Sequence, residues 1–280
     1  MQRSIYGVTY INIFTFSRKF TDYVTLRLRK LFAGVLSMNT IYQPAIHFHN
    51  VDFEVNGQKI LQQVTGSFPT GEITTLVGPS GAGKTTLLKL CNGLISPTSG
   101  EIYIDNEPIT SVNPVSLRRH VGMALQSAPM IKGTVYTNLS LPKTLQGLSL
   151  SRSEAISFLE DVGLDASFLD KDASDLSGGQ RQRVSIARTL VNKSDILLLD
   201  EITSALDRTS IKEVEELIIK INQKYKVTII WITHNLEQAI KIGHYTWVMI
   251  NGQVIETGES TLLTNPTKEI VKRFVEGVME

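Results

Sequence analysis

The sequence predicts an α/β fold organised around a parallel sheet, and three observations carry that prediction. A glycine-rich loop, Gly78-Pro79-Ser80-Gly81-Ala82-Gly83-Lys84-Thr85, fits the pattern G-x-x-x-x-G-K-[ST] and joins an apolar run at 73–77 to a helix-like segment at 85–92. Further on, Ile196-Leu197-Leu198-Leu199 reads as a strand buried on both faces, ending in Asp200-Glu201. A third strand-like run, 227–233, delivers His234 at its carboxyl end. Open α/β sheets place their ligand crevice at such strand ends.

The remaining elements follow in chain order. Segments 45–68 and 100–108 read as antiparallel strands and hairpins, with Asp105-Asn106 at a turn. From 127 to 175 the pattern becomes helical, and Ser151-Arg152-Ser153-Glu154 has the form of a capping box before a periodic stretch that ends near Gly163. Asn251-Gly252 marks the turn of a final hairpin across 247–256, and 266–278 reads as a short amphipathic helix. No internal repeat is present.

The loop pattern has a physical purpose. Its glycines let the backbone curl so that N–H groups point inward, and the following helix N-terminus adds partial positive charge. Gly78 through Thr86 are therefore candidate phosphate-binding residues, among them Pro79, Ser80, Gly81, Ala82, Gly83 and Thr86. Lys84 is expected to reach the β- and γ-phosphates of a nucleotide, and the Thr85 hydroxyl to ligate Mg²⁺. Asp200 is placed to hold Mg²⁺ through its water shell, and Glu201 to act as general base on the attacking water. The plainer reading of Asp-Glu is a cap for the next helix; following a phosphate loop, it is the weaker one.

With these pieces in place, Leu176-Ser177-Gly178-Gly179-Gln180 resembles the signature sequence of the ATP-binding-cassette (ABC) transporter ATPases. Gln126 resembles that family's Q-loop glutamine, Ser204-Ala205-Leu206-Asp207 its D-loop, and His234 its switch histidine. The resemblance covers about residues 45–260 and keeps the family's order of motifs. It implies a RecA-like P-loop NTPase core with an antiparallel β subdomain and an inserted α-helical subdomain at about 127–190. The cassette would span 45–265, with a C-terminal helix at 266–280. It implies ATP and Mg²⁺ as ligands, Glu201, His234 and Gln126 as the catalytic set, and Thr85, Gln126 and Asp200 as the metal set. A lone histidine at a strand end is more often structural, but the position of His234 after the acidic strand favours the switch role.

Ser177, Gly178, Gly179 and Gln180 open a helix and form a second candidate anion site. One phosphate loop with two γ-phosphate sites makes sense if two copies pack head to tail, each signature closing over the other copy's ATP, as the resemblance implies. Partners so implied are a transmembrane permease and a second copy of the chain, with a solute-binding protein as a further candidate. The location implied is peripheral, on the cytoplasmic face of the cell membrane. The single-cassette plan and the stretch 93–101 look similar to phosphate-import and metal-export ATPases. The competing class is a non-transport ABC ATPase working in mechanotransmission, repair or cofactor assembly. Repair relatives carry a long coiled coil between phosphate loop and signature; here 85–175 shows no sustained heptads, which favours transport.

Other residues support milder readings. His47 and His49 share one face of a strand without further ligands and read as solvent-facing. Cys91, the single cysteine, reads as a small buried apolar side chain. Two positions depart from the family pattern: Val55 stands where an adenine-stacking aromatic is usual, leaving aliphatic packing or Phe53 to hold the base, and Ile202 stands where proline is common. The 280 residues are 42% hydrophobic and 20% charged with a net charge of +1, which gives no reason to expect a nucleic-acid partner. No apolar stretch approaches the ~18–20 residues that span a bilayer. Residues 1–37 carry Arg3, Arg18, Lys19, Arg27, Arg29 and Lys30 against Asp22, a net +5 that leaves −4 for the rest. This basic N-terminal extension reads as a segment contacting lipid or permease, as an organellar targeting peptide, or, the favoured option, as an extension without a role upstream of Met38.

Overall fold

Strand direction divides the described residues into two sheets. In the computed structural model, which describes residues 44–278, β1 (Pro44–Val55), β2 (Gln58–Pro69), β4 (Ser99–Ile104) and β5 (Glu107–Pro108) form an antiparallel sheet in the order β2-β1-β4-β5. The basic segment 1–37 lies outside the described residues. The other strands are β3 (Ile73–Val77), β6 (Val121–Ala124), β7 (Ile196–Asp200), β8 (Thr228–Ile232), β9 (Tyr245–Ile250) and β10 (Gln253–Glu259). They form a sheet of order β10-β9-β3-β8-β7-β6, parallel throughout except for the edge pair β9-β10. This is the mixed α/β architecture of a RecA-like P-loop core with an added antiparallel sheet.

The continuous apolar runs are explained by burial on both faces. In β7, Ile196 and Leu198 pack into one core layer, with α1 (Lys84–Cys91) and the antiparallel sheet, while Leu197 and Leu199 face the other. β8 repeats this alternation with Ile230 and Ile232 against Ile229 and Trp231. The second layer is closed by α5 (Gly178–Leu190) and α6 (Arg208–Tyr225), whose buried Val184, Ala187 and Leu190, and Val214, Ile218 and Ile221, recur at helical spacing. Phe48, Phe68 and Trp247 meet where the two sheets face each other, with ring centroids 4.3–6.0 Å apart. Such aromatic pairs are worth roughly 0.5–1.5 kcal/mol each beyond the area they bury.

Between β6 and β7 the chain adds α3 (Val135–Thr144) and α4 (Arg152–Asp161) before α5; α2 (Pro114–His120) precedes β6. The capping box at α4 is formed: the Ser151 hydroxyl accepts from the Glu154 N–H, and the Glu154 carboxylate accepts from the Ser151 N–H at 2.9 Å. Three hairpin turns have two successive residues at positive φ, 51° and 81° at Asn56-Gly57, 50° and 68° at Asp105-Asn106, and 49° and 76° at Asn251-Gly252. That is the backbone that type I′ turns require. After α7 (Leu236–Ile242), the C-terminal helix α8 spans Glu269–Val275, shorter than the 266–278 expected from the pattern. Glu256 is the reason: its carboxylate accepts from the Thr267 N–H and hydroxyl and from the Lys268 N–H, holding that stretch off the helix. Among the described residues, no helix is long and apolar enough to cross a membrane.

Candidate functional site

The glycine-rich loop leaves the carboxyl end of β3 and closes on α1. At Gly78 the backbone has φ 150°, and a Cβ there would lie 1.9 Å from the Met249 carbonyl oxygen, so the loop passes against β9 only because the side chain is missing. Beside it lies a cavity of about 430 Å³ lined by Ser80, Gly81, Ala82, Gly83, Lys84, Thr85 and Thr86. Glu201 and His234 line the same cavity from β7 and β8, and Gln58 and Ile60 from β2. Its volume lies in the range of small-molecule sites, and its loop and helix N-terminus suit phosphate groups.

Lys84 is buried, and its ammonium donates to the carbonyls of Gly78 at 2.8 Å and Pro79 at 2.9 Å. Burial lowers its pKa, opposed by the nearby Glu201 and Asp200 carboxylates. Asp200 is displaced the other way: burial raises its pKa, the Thr85 hydroxyl bond opposes this, and the Glu201 charge adds to the rise. Thr85 Oγ1 and Asp200 Oδ1 stand 3.0 Å apart. The Thr85 hydroxyl donates to Asp200 there, so a hydroxyl and a carboxylate, hard oxygen donors of the kind Mg²⁺ takes directly or through its waters, stand together beside the phosphate loop.

At the next position, Glu201 takes φ 50°, a left-handed backbone that costs a non-glycine residue about 1–3 kcal/mol. Its neighbours fix it there: its N–H donates to Ile232 O at 3.2 Å, and its carbonyl accepts from the Ser204 N–H at 3.1 Å and hydroxyl at 2.9 Å. Its carboxylate oxygen Oε1 lies 2.6 Å from His234 Nε2. Gln126, expected at the metal, is held beside this arrangement by Ser204. Edge strand β6 carries Gln126 past the end of β7, where Ser204 Oγ accepts from its amide at 2.8 Å, and Gln126 does not line the cavity.

The signature residues lie elsewhere. None of Ser177, Gly178, Gly179 or Gln180 lines the phosphate-loop cavity. Ser177 and Gln180 instead form a reciprocal capping box on α5, with Oγ accepting from the Gln180 N–H at 3.2 Å and Gln180 Oε1 accepting from the Ser177 N–H at 3.0 Å. The side-chain oxygen of Gln180 thereby serves the helix start. Gly179 is required by packing, since a Cβ would meet Ser210 Oγ on α6 at 2.8 Å. Gly178 and Ser177 remain exposed. Asp207 caps α6, accepting from the Thr209 and Ser210 N–H groups, both at 3.0 Å.

Gln58 and Ile60 were not among the residues singled out from the sequence, although their spacing of two in a strand puts them on one face. Phe53 packs against the core, and Val55, 45% exposed, pairs with Gln58 across the β1-β2 ladder. Ile202 is buried in the helical-side core. His49 is exposed and His47 half-buried, bonded to the Ser67 hydroxyl, while Cys91 is buried with its thiol pKa pushed up by desolvation. No cluster of three metal-ligating side chains exists among the described residues. Magnesium sites built from one or two protein oxygens and nucleotide phosphates have no need of one.

The family model described as "ABC transporter" matches residues 61–204. The chain is 46% identical over 239 residues to the putative ABC transporter ATP-binding protein YjkB of Bacillus subtilis, covering 84% of this chain and 95% of that one. It is 39% identical over 251 residues to the methionine import ATP-binding protein MetN 2 of Acinetobacter baylyi, covering 84% and 72%. Among solved structures, the fold is similar to the ATP-binding cassette MJ0796, a dimer in a post-hydrolysis state bound to ADP and Pi. The TM-score is 0.68 at 29% identity, covering 77% of this chain and 98% of that one.

Proposed function

Because this chain belongs to the ABC transporter family of ATP-binding proteins, we propose that its phosphate-loop cavity binds and hydrolyses ATP to drive a separate transmembrane permease. The observation that carries this reading is the convergence on one cavity of the 80–86 loop, the Glu201 carboxylate and the His234 imidazole. Lys84 and the loop N–H groups hold the phosphates. Thr85 and Asp200 hold Mg²⁺, which when bound neutralises charge developing on the phosphate oxygens. Glu201 takes a proton from the attacking water, and His234 orients the carboxylate through their short hydrogen bond. Gln126 reports on this centre through Ser204, whose hydroxyl rests on the Glu201 carbonyl.

The exposed Ser177 and Gly178 are proposed to close over the ATP of a second copy, since they lie outside their own chain's cavity. The dimeric MJ0796 cassette supports that reading. A groove of about 560 Å³ beside Gln126, lined by Met130, Ile131, Lys132, Ala173 and Arg181 among others, is the proposed seat of the permease. On this reading the subunit sits peripherally at the cytoplasmic face of the membrane. For the cargo, an amino-acid-like solute is favoured over the phosphate or metal ion suggested by the sequence, because the methionine-import relative aligns over 84% of this chain.

The test is Glu201→Gln in the full chain. It should keep ATP binding, lower turnover on the order of 10²- to 10⁴-fold, the usual worth of a positioned general base, and accumulate an ATP-dependent dimer. Wild-type turnover would overturn the reading.

A further inference from the structure

We propose that Gln238 is a positioning residue that sets the Glu201–His234 pair, a role that rests on the catalytic reading of those two residues. Gln238 lies on α7, is 2% exposed and does not line the cavity. Its side-chain oxygen accepts from Thr233 Oγ1 at 2.6 Å and from Thr203 Oγ1 at 3.3 Å. Thr233 immediately precedes His234, and Thr203 is the second residue after Glu201. One amide oxygen therefore ties the segment that carries the base to the segment that carries its histidine.

The orientation of that amide is dictated from behind. Its nitrogen donates to Glu215 Oε1 at 2.9 Å, and a carboxylate accepts only, so the nitrogen must face Glu215 and the oxygen must face the threonines. Glu215 is itself buried on α6, and its second oxygen accepts from Lys241 Nζ at 2.8 Å, which supplies the compensating charge. The start of α7 is locked to the same point: the Asn235 N–H donates to Thr233 Oγ1, and the Gln238 N–H to Asn235 Oδ1, both at 3.0 Å. Each buried polar atom in this chain of contacts has its partner, the condition under which such networks rigidify rather than weaken a core. Glu201 lies just past the last β7–β8 pair, Asp200 with Ile232, so the ties at Thr203 and Thr233 add to the bonds that its own N–H and carbonyl make.

The experiment compares full-length Gln238→Met, which keeps the length and removes the hydrogen bonds, with Asn222→Ala and Glu201→Gln. Asn222 is a buried amide on α6 that bonds the Gly71 and Val227 carbonyls, away from the cavity. Steady-state ATPase, melting temperature and the ¹⁵N signals of the His234 ring are measured for each. Gln238→Met should lower kcat about tenfold or more with KM for ATP within about twofold, and should shift the His234 ring signals. Asn222→Ala should lower the melting temperature while leaving kcat and those signals unchanged. If Gln238→Met does not fold, Thr203→Val removes one of the two hydroxyls and should give a smaller loss of the same kind. Wild-type kcat and unmoved His234 signals in the folded variant, with Glu201→Gln inactive, would overturn this role and leave the catalytic reading standing. An equal kcat loss in Asn222→Ala would also overturn it. Wild-type turnover in Glu201→Gln would remove the catalytic reading, and this role with it.

Discussion

His234 Nε2 lies 2.6 Å from Glu201 Oε1, bridging the carboxyl ends of two adjacent parallel strands whose register pairs Asp200 with Ile232. The contact spans 33 residues of sequence, and it holds because both side chains leave the sheet at the same level. A short hydrogen bond to a carboxylate restricts how it can turn, and in this site the carboxylate so held belongs to a residue that lines the phosphate-loop cavity. His234→Ala should therefore leave ATP binding intact and lower kcat on the order of 10²- to 10³-fold. Combined with Glu201→Gln it should cost little more, because the two act as a unit. Additive losses in ATPase assays would show that they act separately.

The separation of the signature from its own chain's cavity makes a prediction about pairs of chains. Take one tagged copy carrying Lys84→Ala and another carrying Ser177→Asp. The mixed dimer keeps one site with an intact phosphate loop on one side and an intact signature on the other, and should retain roughly half the activity of a wild-type dimer. Placing both substitutions on one copy, against a wild-type partner, leaves no intact site and should abolish most turnover. Aspartate is chosen because it caps a helix as well as serine does, so α5 is preserved while a negative charge meets the phosphates. Equal activity from the two arrangements would rule out a head-to-tail site.

What the sequence made readable is what depends on near neighbours. Burial on both faces made the apolar runs of β3, β7 and β8 visible, two positive-φ turns announced the hairpins at Asn106 and Gly252, and Ser151 with Glu154 announced α4. The same capping logic applies to Ser177 and Gln180, where Ser-x-x-Gln also has the form of a capping box and the box is formed on α5. Helix α2, capped by Asn113 with Pro114 at its first position, carried a readable start signal that the hairpin reading of 100–108 left unused. The Gln238 contacts were hidden for a different reason. They join residues 5, 23 and 35 apart, and in sequence Gln238 is one polar residue in a short amphipathic helix.

Acid should destabilise the fold over a defined window. Hydrogen bonds hold four exposed carboxylates below their ordinary range: the Ser174 hydroxyl on Asp172, the Ser167 N–H on Asp165, the Ser210 N–H on Asp207 and the Ser151 hydroxyl on Glu154. A carboxyl group with a lowered folded-state pKa contributes stability that is complete above its unfolded value and is lost as pH falls through the lowered one. Unfolded values are about 3.9 for Asp and 4.3 for Glu. Urea midpoints should be nearly constant from about pH 7 to 5 and should fall below about pH 4. Asp207→Asn keeps a good cap at neutral pH and should show a shallower fall, while an unchanged slope would exclude Asp207 as a contributor.

The base end of the cavity yields the last prediction. Its wall is aliphatic and polar, Ile60 and Gln58, and the β1 residue paired with Gln58 is Val55, whose side chain is exposed. Directly paired residues in an antiparallel ladder present their side chains on one face, so position 55 stands beside the entrance to this wall. An aromatic ring there would offer a stacking surface, and base–aromatic stacking is worth about 1–3 kcal/mol. Val55→Tyr should therefore tighten ATP binding by about fivefold or more, measured by titration with a fluorescent ATP analogue and by competition with ATP. In the natural chain ATP and GTP should compete within a few fold of each other, because Ile60 offers no hydrogen bond and the Gln58 amide can turn to suit either purine. Strong natural preference for ATP, together with no gain from tyrosine at 55, would place the base against another part of the protein.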